Sequence, residues 1–200
     1  FGCGEGTTTE FLANALPAAS VVGIDQSGSG IDCARSHYRA ANLEFRHQPG
    51  DASFGEASFD LVTCFEVLEH VEDWQALASR LAHATSRYLL VSFPTGRMRD
   101  FEVNIGHLRN FRPGDFEAFM ERIGLRSVEV LYAGFPFYSP IFRDFCNLTN
   151  SAGNAMTKGH YSFWTRRLGD LIFFSFRFLS TRRRGGDQFC GLFERAGARE

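Results

Sequence analysis

The chain has 200 residues, 44% of them hydrophobic and 22% charged, which suits a single globular α/β domain large enough to bury a core. A formal net charge of −2 gives no general attraction for nucleic acid, but six arginines against Asp170 between residues 166 and 184 make a local +5 and leave −7 elsewhere. The five cysteines include no C-x-x-C pair, so neither a zinc knuckle nor a disulfide framework is indicated and a reducing, cytoplasmic setting is expected; no apolar run approaches the roughly 18–20 residues that span a bilayer.

The first stretch, Phe1-Gly2-Cys3-Gly4-Glu5-Gly6, is a glycine-spaced turn in front of Thr7-Thr8-Thr9 and a short helical pattern over Thr9 to Leu16, stopped by Pro17. Glycines at alternate positions let a ligand approach main-chain N–H groups. The dinucleotide fingerprint is G-x-G-x-x-G; here the third glycine comes one residue early, which argues against NAD. Such a loop normally follows a buried strand, and only Phe1 of it is present, so the chain is expected to be an N-terminally truncated fragment.

Ser20 to Asp25 then reads as a buried strand ending in an acid, Ser29 to Ala41 as a helix, and Leu43 to Arg46 as a strand leading to Gly50-Asp51-Ala52. Phe59 to Phe65 is the next strand, Asp73 to Ala84 a helix and Ser86 to Phe93 a strand. A polar connection carrying His107 leads to a helix from Pro113 to Ile123, closed by Gly124. Arg126 to Ala133 and Gln188 to Arg195 read as the last strands, the final one antiparallel near the sheet edge. Strand and helix alternate, so the expected fold is Rossmann-like α/β, doubly wound, with a mostly parallel seven-stranded sheet whose first strand is largely missing. The core is residues 1–135 plus 187–196. The insertion 136–186 is too long for a hairpin turn. Within it, 163–179 has helical periodicity with Trp164, Leu168, Leu171, Ile172, Phe176, Phe178 and Leu179 on one face. Arg166, Arg167, Asp170 and Arg177 lie on the other, where Phe174 intrudes. This reads as a lid, a dimer contact or, with Arg182-Arg183-Arg184, a membrane-surface element over 163–184.

Asp25 ends its strand ~20 residues after the loop, where an acid accepts from ribose hydroxyls. Asp51 follows the next strand, in reach of an adenine amino group. Together with the loop they outline an adenosine. At Gly2-Cys3-Gly4-Glu5-Gly6, Gly23-Ile24-Asp25, Gly50-Asp51-Ala52 and Phe59 through Glu66-Val67-Leu68-Glu69-His70, the sequence resembles the class I S-adenosylmethionine-dependent methyltransferases, in particular the type 11 and type 23 subgroup with Glu-Val-Leu-Glu-His after the fourth strand. The resemblance covers residues 1 to about 135 and the final strand. It implies S-adenosylmethionine as cofactor, with Gly2, Gly4 and Gly6 at its methionine part, Asp25 at the ribose, Asp51 and Ala52 at the adenine, the main chain of Phe65 at the ammonium, and Cys3 and Gln26 among the binding residues.

Methyl transfer from a sulfonium needs placement more than activation, and a base only where the acceptor must lose a proton. His70 and His107 are the candidate bases. Glu66, Glu69 and His70 stand at i, i+3 and i+4, and with His107 they offer a divalent-metal cage similar to that of quinone-pathway O-methyltransferases and small-RNA 2′-hydroxyl methyltransferases; against this stands a purely structural role for the same residues. The expected function is O-methylation of a small or lipid-like acceptor at the inner face of a membrane. RNA 2′-O-methylation is the alternative, disfavoured because the basic residues are confined to one segment, and DNA is not an expected partner. A non-catalytic interaction module is a third reading, opposed by the intact Gly2, Gly4, Gly6, Asp25 and Asp51.

Overall fold

The computed structural model describes residues 1–50, 54–149, 167, 171, 174, 177, 178, 181 and 185–197. Six strands appear among them: β1 (Val21–Asp25), β2 (Leu43–His47), β3 (Phe59–Phe65), β4 (Thr85–Pro94), β5 (Leu125–Ala133) and β6 (Gln188–Arg195). The α-helices are α1 (Thr7–Ala15), α2 (Gly28–His37), α3 (Trp74–Ala84), α4 (Asp100–Asn104), α5 (Asp115–Arg122) and α6 (Arg143–Thr149). A 3₁₀ turn covers Leu68–His70, and a π-helical stretch, Phe137–Phe142, broken at Ser139, runs into α6.

The strands form two sheets. β1 and β2 pair in parallel, and β3-β4-β6-β5 make a second sheet in which β3 and β4 are parallel and β6 is antiparallel to both neighbours. The antiparallel last strand is as expected, but β6 sits between β4 and β5, so β5 forms the edge. Among the described residues six of the expected seven strands are present, in these two sheets. Between β1 and β3 lies a cavity of about 530 Å³ lined by Val22, Ile24, Leu61, Thr63 and others. At its upper end the Phe1 amino group donates to the Thr63 carbonyl (2.7 Å) and the Gly2 N–H to the Ile24 carbonyl (2.8 Å). Successive N–H groups thus reach opposite neighbours, as they do in a central strand.

The core lies under β3, β4 and β6. Leu77, Leu81 and Ala84 of α3 pack there with Leu89, Val91 and Phe93, and Phe93 stacks on Phe189 at 4.4 Å between ring centroids. Trp74, Phe111 and Phe116 close this cluster by edge contacts. Asp73 caps α3 through Ala76 N–H, and the Arg195 guanidinium takes the carbonyls at its far end, reaching Thr85 at 2.8 Å. α2 ends at His37, four residues earlier than expected, because Tyr38 adopts an extended backbone.

Two helices were absent from the sequence expectation: α4, in the supposedly irregular connection after β4, and α6, in the insertion. A buried polar tie explains both. Arg143 is 1% exposed; its Nε donates to Glu102 Oε1 at 2.8 Å and its Nη1 to the Thr95 carbonyl (3.0 Å) and Asp187 Oδ2 (3.3 Å). Glu102, also buried, accepts from the Arg99 and Asn110 side of the connection as well. A buried ion pair is costly to break because the surviving partner keeps its charge without compensation. We therefore expect Arg143→Met to cost about 3–5 kcal/mol in urea unfolding, and the double variant Arg143→Met/Glu102→Gln to recover a large part of that loss.

Candidate functional site

Functional side chains gather at the C-terminal ends of β1, β3 and β4, where open α/β sheets receive their ligands. The glycine loop comes first. Gly4 has φ +51° and donates its N–H to Asp25 Oδ2 at 2.7 Å, while Ser27 N–H donates to Oδ1 at 2.8 Å. Asp25 therefore fixes the loop's corner, and each carboxylate oxygen retains a lone pair for a further donor. Of the three loop glycines, Gly4 has nothing within 4 Å of where a Cβ would stand. At Gly2 that place is filled by Val67, and at Gly6 by Phe45 and Ala34. The three glycines expected to face the cofactor thus divide: one opens to free space, and two permit close packing behind the loop. Cys3 points inward, with its thiol pushed up to about 11 by burial and by Asp25. Gln26 lies over Gly50, within 2.8 Å of where its Cβ would be. Asp51 and Ala52, expected at an adenine, lie outside the described residues. Phe65 ends β3 and lines the cavity between the sheets together with Gly2 and Cys3.

The second group follows β3. Glu66 is in the left-handed region at φ +55°, a conformation a glutamate adopts only when its surroundings require it. Its Oε1 accepts from Ser92 Oγ (2.6 Å) and Gln188 Nε2 (2.7 Å), which fixes the side chain over the ends of β4 and β6. Loss of water holds its carboxyl above the ordinary value, outweighing those hydrogen bonds. Glu69 is fully buried, and neither carboxylate oxygen has a hydrogen-bond partner. Burial, and then the neighbouring Glu66 charge, push it up to about 8.

The connection after β4 is pinned over this turn. Leu108 N–H donates to the Glu69 carbonyl (2.8 Å), and the Arg109 guanidinium bonds the carbonyls of Val71 and Glu72. His70 Nδ1 lies 3.0 Å from the Gly106 carbonyl. A carbonyl only accepts, so Nδ1 carries the proton and Nε2 keeps its lone pair. His107, whose N–H donates to the Glu102 carbonyl at 2.9 Å, stands edge-on to His70 with ring centroids 4.7 Å apart. Burial, followed by His70, lowers the His107 pKa. Ligand atoms of Glu69, His70 and His107 all lie within 4.8 Å of one another. Of the four residues expected to form a cage, three converge; Glu66 lies outside the set.

Sequence reasoning missed Tyr138, Ser92 and Gln188. Tyr138 sits at the start of the insertion, its phenol pushed up by burial and then by Glu66. No spacing links these residues to the Glu66–His70 turn; the topology that puts β6 beside β4 does. Of the expected amphipathic helix, Arg167, Leu171 and Phe174 are helical and Arg177 and Phe178 lie in a π-helical turn; all five are exposed. The rings of Phe174 and Phe178 meet at 4.9 Å, so Phe174 joins the exposed apolar residues and does not stand apart from them. Trp164, Arg166, Leu168, Asp170, Ile172, Phe176 and Leu179 lie outside the described residues.

Comparison with known proteins agrees with this geometry. Residues 1–87 match the family described as a methyltransferase domain. Ubiquinone biosynthesis O-methyltransferase from Coxiella burnetii (strain RSA 493 / Nine Mile phase I) is 38% identical over 84 residues, 40% of this chain and 35% of that protein. The chain thus spans about a third of the length of the curated relatives it matches. Among solved structures, magnesium protoporphyrin IX methyltransferase from Synechocystis PCC 6803, with bound SAH, superposes with a TM-score of 0.58 at 18% identity, covering 98% of this chain and 72% of that one. The cyclase SpnF gives 0.65 at 13% identity over 98% and 72%. At such identities the likeness concerns the fold, which evidently hosts more than one chemistry. Residues 1–87, which hold the glycine loop and the Glu66–His70 turn, thus match a methyltransferase domain, and the described fold is one that S-adenosylmethionine-dependent methyltransferases share.

Proposed function

We propose that the chain binds S-adenosylmethionine across the ends of β1 and β3 and transfers its methyl group to an oxygen of a small, lipophilic acceptor. The corner formed by Gly4 and Asp25 carries this reading: an open main-chain turn beside a carboxylate with lone pairs to spare suits a cofactor bearing a diol and an ammonium group. Asp51 and Ala52, by their place after β2, complete the adenine side, and Gln26 and the Phe65 main chain lie along the path between. Seven strands would be completed by one in the slot between β1 and β3. The acceptor then lies against the Glu66–His70 turn, beneath α4 and the insertion 136–186, which serves as its lid over the 1–135 and 187–196 core. The lipophilic character is supported by the ubiquinone-pathway name of the relatives and by the exposed Leu171, Phe174 and Phe178 beside Arg167, which suit the inner face of a membrane.

In this reading the sulfonium supplies the activated methyl group, and the chain supplies alignment and proton removal. His70, whose Nδ1 is held by the Gly106 carbonyl so that Nε2 is the nitrogen left to face an acceptor, is the base that takes the acceptor's hydroxyl proton; His107, its pKa lowered by burial, flanks it. A second reading is favoured by Glu69. A fully buried carboxylate without a hydrogen bond, within 4.8 Å of two imidazoles, fits a divalent cation. Glu69, His70 and His107 would hold it, and a bound cation would polarise the acceptor hydroxyl.

Two measurements separate these statements. Isothermal titration should show S-adenosylmethionine binding that Asp25→Ala weakens by roughly ten- to a hundredfold, the loss of charge-assisted hydrogen bonds; a cooperatively folded chain that takes up no cofactor sinks the reading. Glu69 makes a pH prediction. Its pKa rises from 4.5 unfolded to about 8 folded, so the native state holds an extra proton in that window and stability falls as pH rises through it. With a chelator present, Glu69→Gln should melt increasingly above the parent chain between pH 4.5 and 8, with the gap levelling off beyond. Added Mn²⁺ or Zn²⁺ should reverse the gap if the metal reading holds and leave it unchanged if it does not.

A further inference from the structure

We infer that Asn110 is a positioning residue for His107: its side-chain carbonyl takes the Nδ1 proton, which leaves the lone pair of the neutral imidazole on Nε2. Two orphaned atoms point to this. His107 Nδ1 and Asn110 Oδ1 are both buried, and neither has a hydrogen-bond partner as the side chains stand. The two residues are three positions apart and both are tied to Glu102. His107 donates its main-chain N–H to the Glu102 carbonyl (2.9 Å), and Asn110 donates Nδ2 to Glu102 Oε2 (3.2 Å). Asn110 also stands close enough to favour a proton on His107. The χ2 torsions of both side chains are broad, so a small rotation closes the contact.

The polarity of that contact follows from its neighbours. Glu102 Oε2 also accepts from the Arg99 N–H at 2.7 Å, and Oε1 accepts from Arg143, so this carboxylate meets Asn110 as an acceptor. The amide must therefore turn its NH2 towards Glu102 and its oxygen away. That oxygen only accepts, so the atom that relieves it is a donor, and Nδ1 serves only when it carries the proton. Leaving both buried atoms unpaired costs more than the rotation that joins them. The connection after β4 then orients both rings: the Gly106 carbonyl holds His70 Nδ1 at 3.0 Å, and Asn110 holds His107 Nδ1. Each imidazole keeps Nε2 for chemistry, be it proton removal or the holding of a cation. The inference rests on the reading of this turn as the place of that chemistry, while the tautomer itself is independent of cofactor binding.

Long-range proton–nitrogen correlation spectra of the 15N-labelled chain are the test, because protonated and unprotonated ring nitrogens differ widely in shift. They are recorded with a chelator and without cofactor at about pH 8, where an ordinary imidazole is neutral. His107, identified by its absence from the His107→Gln spectrum, should show a protonated Nδ1 and an unprotonated Nε2. The opposite pattern overturns the proposal, and this arm needs no Asn110 variant to fold. Asn110→Ala should lower the ratio of the Nδ1–H to the Nε2–H form about tenfold, the loss expected of one buried hydrogen bond. Asn110→Asp keeps an acceptor in place while setting a second carboxylate against Glu102, so it should melt earlier than the parent chain and still hold the Nδ1–H form. If Asn110 served packing alone, the tautomer would follow stability in both variants. That result, or an Asn110→Ala spectrum unchanged from the parent, overturns the assignment. S-adenosylmethionine titrated into the parent chain and Asn110→Ala should bind both alike, so a failure of the cofactor reading shows in the parent and stays separate from the tautomer result.

Discussion

The main-chain bonds from Phe1 to Thr63 and from Gly2 to Ile24 are the constraint on which the rest of the site depends. They join the β1–β2 sheet to the larger one directly beneath the glycine loop. Everything above them inherits that registration: Gly4 turns at a fixed height, Asp25 reaches it, and Val67 closes against Gly2 from the far side. The loop is therefore a joint between the two sheets. Its glycines are needed for two reasons, access at Gly4 and close packing at Gly2 and Gly6, and neither reason would suffice for all three.

The second half of the site depends on a different kind of contact. Glu66 and Glu69 sit where carboxylates are poorly hydrated, and the protein treats them differently. Glu66 receives two side-chain donors across the strand ends, whereas Glu69 receives none. An unrelieved buried acid is expensive and takes up a proton unless a cation is supplied. The imidazoles of His70 and His107 stand next to it, one oriented by a carbonyl and the other lowered by burial. That pairing makes this turn the place to look for chemistry, while the cavity between β1 and β3 is a gap between sheet edges.

Much of this was legible in the sequence because it is local. Periodicity located all six described strands within a residue or two, and the Gly2–Gly6 spacing with Asp25 named residues that the structure brings together. His70 and His107 were grouped before their rings were known to meet. What escaped had a non-local cause. α4 looked irregular because its stabilisation comes from Arg143, forty-one residues away, and not from its own five residues. α6 was hidden because its sides are reversed: a pattern search assigns Ile141, Phe145 and Leu148 to the interior, and here the interior is polar. The last strand was expected antiparallel near the sheet edge and lies there, next to the edge strand β5, but its exact neighbours leave no trace in spacing.

The two sides of α6 also answer to different pressures. Arg143 and its partners hold the connection that carries His107, so a change on that side is felt throughout the fold. Ile141 and Leu148 are exposed, and substitutions there are nearly neutral for folding. Sequence drift can therefore accumulate on one side of a single helix while the other stays fixed. Descendants of such a chain would keep the frame around His107 while the outer surface of α6 diverges.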